Sequence, residues 1–311
     1  MADAVAALTH ALHDWTPVRL VRAGADFAVE WAVVPTPFGD AFFEQSAERA
    51  MRRPFNLAFA QRTALAALVH DAAPLTREPD GFVFHLSRSG STLTSQMLRA
   101  LDDTIVIAEA QPLDALLALR GAEGWDDERI AAALRAMLGA LARPRHDERR
   151  FFVKWTASAV HALPLIARAF PSVPWTFLFR EPLAVLASQL EMMGGETLLR
   201  QAVLRQAQDD MEPAAQIVAS AQAALAMPLG AGVFIDYAAL PNAVFDTVLP
   251  AFGVTPTDAE TARLRDVGKR DAKAGGTPFQ PRPPAAPPNV DAATARRLAD
   301  VYARLCARAE S

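Results

Sequence analysis

The chain has 311 residues, 51% hydrophobic and 21% charged, with 31 basic against 35 acidic side chains for a formal net charge of −4. Those proportions describe a folded soluble chain and argue against a disordered, collagen-like or disulfide-scaffold one. Net acidity also excludes the broad basic surface of a nucleic-acid or anionic-membrane binder, so any polyanion has to be met by a few local cations.

At the N-terminus no basic leader precedes an apolar run, and nothing approaches the roughly 18 apolar residues of a membrane span, so neither secretion nor membrane insertion is expected. Helical spacing predicts helices over residues 5–12 and 43–69, with one strand over 28–34. From Gly81 the pattern changes to short apolar runs bounded by turn residues. They fall at 82–86, 104–108, 151–153, 175–179 and 233–236, and read as buried strands.

Amphipathic helical stretches lie between most of these runs. Leu93, Met97, Leu98 and Leu101 recur at helical spacing after Thr92. Ile130, Leu134, Met137, Leu138 and Leu141 do so after Asp126 and Asp127, and Pro182 opens a helix through Leu183, Leu186 and Leu190. Strands alternating with helices imply crossovers, hence an α/β fold with a mainly parallel central sheet and helices on both faces.

Residues 277–289 hold six prolines and read as an extended surface segment, followed by a helix over 292–307. That helix carries Cys306, the single cysteine, which excludes an internal disulfide or a cysteine zinc cage and fits a reducing cytoplasm. No repeat or domain boundary stands out. The chain is read as one domain over 1–311: a mostly helical N-terminal extension to residue 80, a motif-bearing core over 81–276, and the Pro-rich segment and last helix over 277–311.

The segment Ser87-Arg88-Ser89-Gly90-Ser91-Thr92 stands between the first of the buried strands and an apolar-faced helix. There Gly90 permits a tight turn, free amides and the helix dipole favour an anion, and Arg88, Ser91 and Thr92 add donors. The same residues also suit a plain polar turn capped by Ser91 or Thr92. The nucleotide-kinase loop needs a lysine directly after its second glycine. Ser91 occupies that place, and His85 stands where the first glycine belongs.

The loop resembles the 5′-phosphosulfate loop of sulfotransferases, Pro-Lys/Arg-x-Gly-Thr-Thr/Ser, with departures at Ser87 and Ser91 that keep the cation, the glycine and the hydroxyls. A second stretch, Phe179-Arg180-Glu181-Pro182 continuing to Ser188, is similar to the family's 3′-phosphate motif. In that motif an arginine at a strand end and a serine eight positions later grip one phosphate. The resemblance, over about residues 82–276, implies a P-loop-type three-layer sandwich. It implies sulfuryl transfer from 3′-phosphoadenosine 5′-phosphosulfate to a hydroxyl, or an amine, of a small-molecule or peptide acceptor.

On that resemblance Arg88, Ser89, Gly90, Ser91 and Thr92 hold the 5′-phosphosulfate, and Arg180 and Ser188 the 3′-phosphate. Glu109, at the carboxyl end of a strand, stands like the glutamate base of the tyrosylprotein branch. Lys154, at another strand end, stands like that branch's charge-neutralising lysine, and Arg88 shares the catalytic task. His161 competes as base, although its apolar surroundings suit a packed structural histidine.

More loosely, Asp236-Tyr237-Ala238-Ala239-Leu240 resembles a strand-end Tyr-x-x-Leu region. Residues 268–276 resemble a late basic loop, in which Lys269, Arg270 or Lys273 reaches the donor or simply faces water. No metal is called for, and the six histidines are scattered. A nucleotide-dependent kinase and a non-catalytic nucleotide-binding member stay open as alternatives. The acceptor and the oligomeric state are not legible.

Overall fold

The computed structural model describes residues 12, 14–34, 38–71, 77–193, 213–270 and 290–311. Its strands are β1 (Thr16–Ala23), β2 (Asp26–Ala32), β3 (Gln61–Ala64), β4 (Gly81–His85), β5 (Thr104–Ala108), β6 (Arg150–Lys154), β7 (Trp175–Phe179) and β8 (Val233–Asp236). The last five form one sheet in the order β5-β6-β4-β7-β8, and β5 pairs with β6, and β7 with β8, in parallel. This is the expected α/β fold, with its five strands at the five apolar runs. Every residue of β4 and β7 is buried, which a strand tolerates only when both of its faces are covered.

Helices connect the strands. Ser91–Arg99 follows β4; Gln111–Leu117 and Asp127–Leu141 lie between β5 and β6; Leu163–Ala169 precedes β7; Pro182–Met193 and Pro213–Leu225 lie between β7 and β8. The start of the longest of these is fixed by Asp126, whose carboxylate accepts from the Arg129 N–H at 2.8 Å. Its Ile130, Leu134, Met137, Leu138 and Leu141 are all buried, as their spacing predicts. The C-terminal helix spans Ala292–Ala309.

The N-terminal region corrects the expectation of helices around a single strand. β1, β2 and β3 form a separate antiparallel sheet in that order. The stretch 43–69 is not one helical segment but the helices Phe43–Met51 and Pro54–Ala58, the strand β3, and the start of the helix Leu65–Asp71. Pro54 opens its helix because a proline suits the first turn and cannot continue a preceding one. Thr63 turns β3 toward β2 by accepting a 2.9 Å hydrogen bond from the Trp31 indole. The helix expected over residues 5–12 and the Pro-rich segment lie, apart from Leu12, outside the described residues.

The chain packs as two compact units. The first comprises Met1–Phe82, Leu98–Thr156 and Pro164–Val173; the second comprises Val83–Met97, Ala157–Leu163 and Pro174–Ser311. Neither is continuous in sequence, so no linker marks them. In the first, Phe82 meets Trp155 and Phe170 edge-on, each with ring centroids 5.5 Å apart. Gln111 there clamps β1, accepting from the Leu20 N–H at 2.9 Å and donating to the Leu20 carbonyl at 3.0 Å.

In the second unit Trp175 packs between Phe84 and Phe234 at 6.2 and 5.9 Å. Gly232 lets the chain pass that indole, since a Cβ there would lie 2.3 Å from a ring carbon.

Candidate active site

In the second unit β4 ends where the Leu86 N–H donates to the Leu178 carbonyl at 2.8 Å, and the chain turns before the helix Ser91–Arg99. Two left-handed residues make the turn, Arg88 at φ 63° and Gly90 at φ 84°. Ser89, fully buried, closes it from inside by donating its hydroxyl to the Leu86 carbonyl at 2.7 Å. Ser91 and Thr92 are buried in the first helical turn, where backbone amides lack helical partners and the dipole is positive.

Arg88 Nε donates to Ser188 Oγ at 2.8 Å, so the loop cation is tied to the helix Pro182–Met193. Glu181 caps that helix, its two carboxylate oxygens accepting from the Leu183 and Ala184 amides at 2.9 and 2.7 Å. Arg180 lies with its guanidinium carbon 4.5 Å from the centroid of the Tyr237 ring. The same ring borders Gly90, where a Cβ would stand 3.0 Å from Tyr237 Cδ2 and 2.4 Å from Leu240 Cδ1.

The turn carrying Tyr237 is held by Asp236, which accepts from the Ala238 amide at 2.8 Å and from the Tyr302 hydroxyl at 2.6 Å. Loop, Arg180, Ser188 and Tyr237 thus form one connected cluster.

In the first unit the end of β5 is bound to the end of β6: the Glu109 N–H donates to the Lys154 carbonyl at 2.8 Å. Glu109 is left-handed, at φ 55°, and its carboxylate forms an ion pair with the Lys154 ammonium. Lys154 is 1% exposed and Glu109 25%. Lys154 Nζ also lies 5.2 Å from the centroid of the Phe42 ring. Burial pulls the ammonium's pKa below the ordinary lysine value, and Glu109 opposes that pull.

Beyond this pair, Thr156 Oγ1 donates to Asp114 Oδ1 at 2.8 Å. Burial pushes the Asp114 carboxyl up to about 7. The Thr156 bond and Lys154 hold it down, and the charges of Glu109 and Glu44 raise it further.

His161 sits on the turn Ala157–Ala162 of the second unit, exposed rather than packed as expected, with Nε2 3.3 Å from Ser220 Oγ. Lys269 and Arg265 border a cavity of about 320 Å³ with Pro241, Asn242 and Phe245, and Arg270 pairs with Asp266. Lys273 lies outside the described residues. Among the described residues, no three metal-ligating side chains gather at a site and no helix is long and apolar enough to cross a membrane.

Residues 79–248, more than half of the chain, match the profile of the sulfotransferase family. The chain belongs to the sulfotransferase family. The matched stretch contains the loop, Glu109, Lys154, Arg180, Ser188 and Tyr237, while the N-terminal sheet, Phe42 and Tyr302 lie outside it. A sulfotransferase from Mycobacterium avium is similar across 97% of this chain and 95% of its own, at 12% identity and a TM-score of 0.50, which supports the sulfotransferase fold.

Two further structures cover 73% of this chain. The sulfotransferase domain of the Synechococcus PCC 7002 olefin synthase matches over 94% of its length, at 18% identity and a TM-score of 0.45. The sulfotransferase domain from the curacin biosynthetic pathway matches over 99%, at 16% and 0.46. A search of curated protein sequences finds no match. What the sulfotransferase motifs do not reveal is Asp114, its bond from Thr156, and the packing of the Tyr237 ring against Gly90 and Arg180. Asp114 looks in the sequence like an ordinary first-turn acid of the helix Gln111–Leu117.

Proposed function

We propose that this sulfotransferase moves a sulfuryl group from 3′-phosphoadenosine 5′-phosphosulfate to a hydroxyl, or an amine, of a small-molecule or peptide acceptor. The observation that carries the reading is the connected cluster of the second unit. Two arginines, a helix N-terminus and a serine gather there around a loop that has no kinase lysine. A compact polyanion suits those donors. Arg88 with the loop amides from Ser89 to Thr92 and the hydroxyls of Ser91 and Thr92 holds the 5′-phosphosulfate, the Ser89 hydroxyl being spent inside the turn on the Leu86 carbonyl, and Arg180 and Ser188 hold the 3′-phosphate.

In-line transfer forms a bond from the acceptor oxygen to sulfur and breaks the bond from sulfur to the bridging oxygen of the 5′-phosphate. The bond pair leaves with the bisphosphate. Glu109 takes the acceptor's proton, and Arg88 and Lys154 counter the negative charge that grows on the leaving oxygen. That charge is larger in the transition state than in bound substrate, so fixed cations lower the barrier rather than merely tighten binding.

Thermal denaturation with 3′-phosphoadenosine 5′-phosphate, against ATP with magnesium, tests the reading. A ligand that selects the native state stabilises it by about 2.7 kcal/mol at a hundred times its Kd. The bisphosphate should raise the melting temperature and ATP should not. A rise with ATP alone would support a kinase, and no rise with either would remove the donor assignment. Bisphosphate binding without turnover across phenols, alcohols, sugars and amines would point to the non-catalytic alternative.

A further inference from the structure

We propose that one face of the first unit docks on an anionic phospholipid surface: Phe55, Leu57 and Phe59 enter the headgroup boundary, and the phosphate of one headgroup seats in a cavity lined by Arg143 and Arg145. The inference is independent of the donor and acceptor readings.

The helix Pro54–Ala58 and the residue after it turn three large apolar side chains to solvent, with Phe55 52%, Leu57 68% and Phe59 56% exposed. A contiguous apolar cluster of this kind marks a surface that meets something apolar. It is held in place rather than loose. Asn56, on the same helix, is buried: its Oδ1 accepts from the Val33 N–H at 2.9 Å, and its Nδ2 donates to the Val33 and Ala50 carbonyls at 2.9 and 2.8 Å. The helix thus buries its amide and presents its apolar residues, whereas a surface helix normally does the reverse.

Beside this ridge lies a cavity of about 160 Å³, with Trp15, Val33, Val34, Arg143 and Arg145 in its lining. Trp15 joins the two features, since its ring centroid lies 5.9 Å from that of Phe55, which in turn is 5.1 Å from that of Phe59. Val33, the residue that Asn56 grips, joins them again. The two arginines bond the chain on either side of Trp15: Arg143 Nη1 donates to the Leu12 carbonyl at 2.9 Å, and Arg145 Nη2 to Thr16 Oγ1 at 2.8 Å. Arg145 Cζ also lies 4.6 Å from the centroid of the Phe38 ring. Their turn is fixed by Glu148 Oε2, which accepts from the Arg145 and His146 amides at 2.8 and 2.7 Å.

Each guanidinium keeps donors to spare, and among the described residues neither forms an ion pair. Burial pulls both below the ordinary arginine pKa, Arg145 to about 10 with Glu148 opposing, and an anion in the cavity would offset that cost. Of the lining residues Asp14 is the acid, against Arg143, Arg145 and the exposed His146. Arg52 and Arg53, both exposed, stand just before the ridge, while Arg49 and Arg62 are engaged by Asp40 and Glu30.

The cavity is smaller than the roughly 300–1,000 Å³ of a pocket that encloses a small-molecule ligand, so it suits a compact anion whose remainder lies outside. A cationic seat bordered by exposed aromatic and aliphatic side chains complements a phospholipid, phosphate to arginine and chains to the ridge. A twofold pairing of this face with itself would instead bring its cations together. The net charge of −4 argues against a broad basic face, but not against a few cations set beside an apolar ridge.

Flotation of the full chain with vesicles tests the proposal. The chain should float with phosphatidylcholine vesicles that contain phosphatidylserine and only weakly with phosphatidylcholine alone, and added salt should weaken the first. Leu57→Ser combined with Phe59→Ser, both at exposed positions, should leave the melting temperature unchanged and lower vesicle affinity about tenfold. Arg143→Gln with Arg145→Gln should cancel the preference for phosphatidylserine. If the arginine pair fails to fold, the Leu57 and Phe59 variant still decides. No flotation, equal flotation with both vesicles, or flotation that Leu57→Ser with Phe59→Ser leaves intact overturns the proposal. So does dimerisation without vesicles that the same two substitutions abolish, which would assign the ridge to a second copy of the chain.

Discussion

Arg88 and Glu109 occupy a backbone state that side chains normally avoid, with φ of 63° and 55°. Each such residue costs on the order of 1 kcal/mol and persists only where its surroundings hold it. Both are held: Arg88 by Ser188, and Glu109 by its amide bond to the Lys154 carbonyl and its ion pair with the ammonium. Gly90 is left-handed too, and a second reason keeps it glycine: Tyr237 and Leu240 fill the space a side chain would need.

Gly90→Ala should therefore cost about 1–3 kcal/mol by overpacking and remove the bisphosphate-induced rise in melting temperature. Thermal denaturation with and without the ligand reads both effects, and an undiminished rise would contradict the packing account. The ion pair gives an asymmetric prediction. Glu109→Ala leaves a buried ammonium short of its nearest anion and should cost about 3–5 kcal/mol. Lys154→Met removes the buried charge and leaves a carboxylate 25% exposed, which water can serve. Urea unfolding should rank Glu109→Ala as the less stable of the two; the reverse order would mean that Lys154 is charged for a reason other than Glu109.

Among the elements, the C-terminal helix Ala292–Ala309 is the one whose link to the cluster of Arg88, Arg180 and Tyr237 is least apparent. Leu298, Val301 and Leu305 bury its apolar face, and Tyr302 reaches Asp236, which anchors the turn carrying Tyr237. Burial, with the Asp236 carboxylate beside it, holds the phenol well above its ordinary pKa, so the hydroxyl remains a donor at any working pH. A hydrogen bond to a carboxylate contributes about 1.5–3 kcal/mol. Tyr302→Phe should lose stability in that range and also weaken bisphosphate binding, because Tyr237 sits between Gly90 and Arg180. Isothermal titration would expose a wrong assignment if affinity were unchanged while stability fell.

This link shows what the sequence could and could not reveal. β4 to β8 are legible because a strand buried on both faces is a continuous apolar run. β3 is not, because Gln61–Ala64 is short, polar and embedded in helical apolar spacing, and only its pairing with β2 makes it a strand. Likewise Arg88, Glu109, Lys154, Arg180 and Ser188 stand at positions a motif marks. Asp114 with Thr156, Phe42 with Lys154, and Tyr237 with Gly90 are meetings of distant segments that leave no local trace.

At the scale of the whole chain, the stretch that matches the family begins only at residue 79, yet the first unit begins well before it. Val18, Leu20, Val29, Trp31, Ala32 and Phe43 are all buried there, and the Gln111 amide, inside the matched stretch, is bonded to Leu20. Phe42 covers the ammonium of Lys154, and the charge of Glu44 reaches Asp114. The N-terminal sheet and its first helix therefore belong to the packing around the buried ammonium of Lys154.

Deleting residues 1–78 would expose the apolar faces that this region covers and leave polar groups such as the Gln111 amide without their partners, losses that together are large against the roughly 5–15 kcal/mol that holds a typical domain together. The truncated chain should bind a hydrophobic dye, lose near-ultraviolet circular dichroism and unfold without a cooperative transition. If it instead melted as sharply as the full chain and kept the raised titration of Asp114, the N-terminal region would be an appendage, and the environment of Lys154 would have to be ascribed to the matched stretch alone.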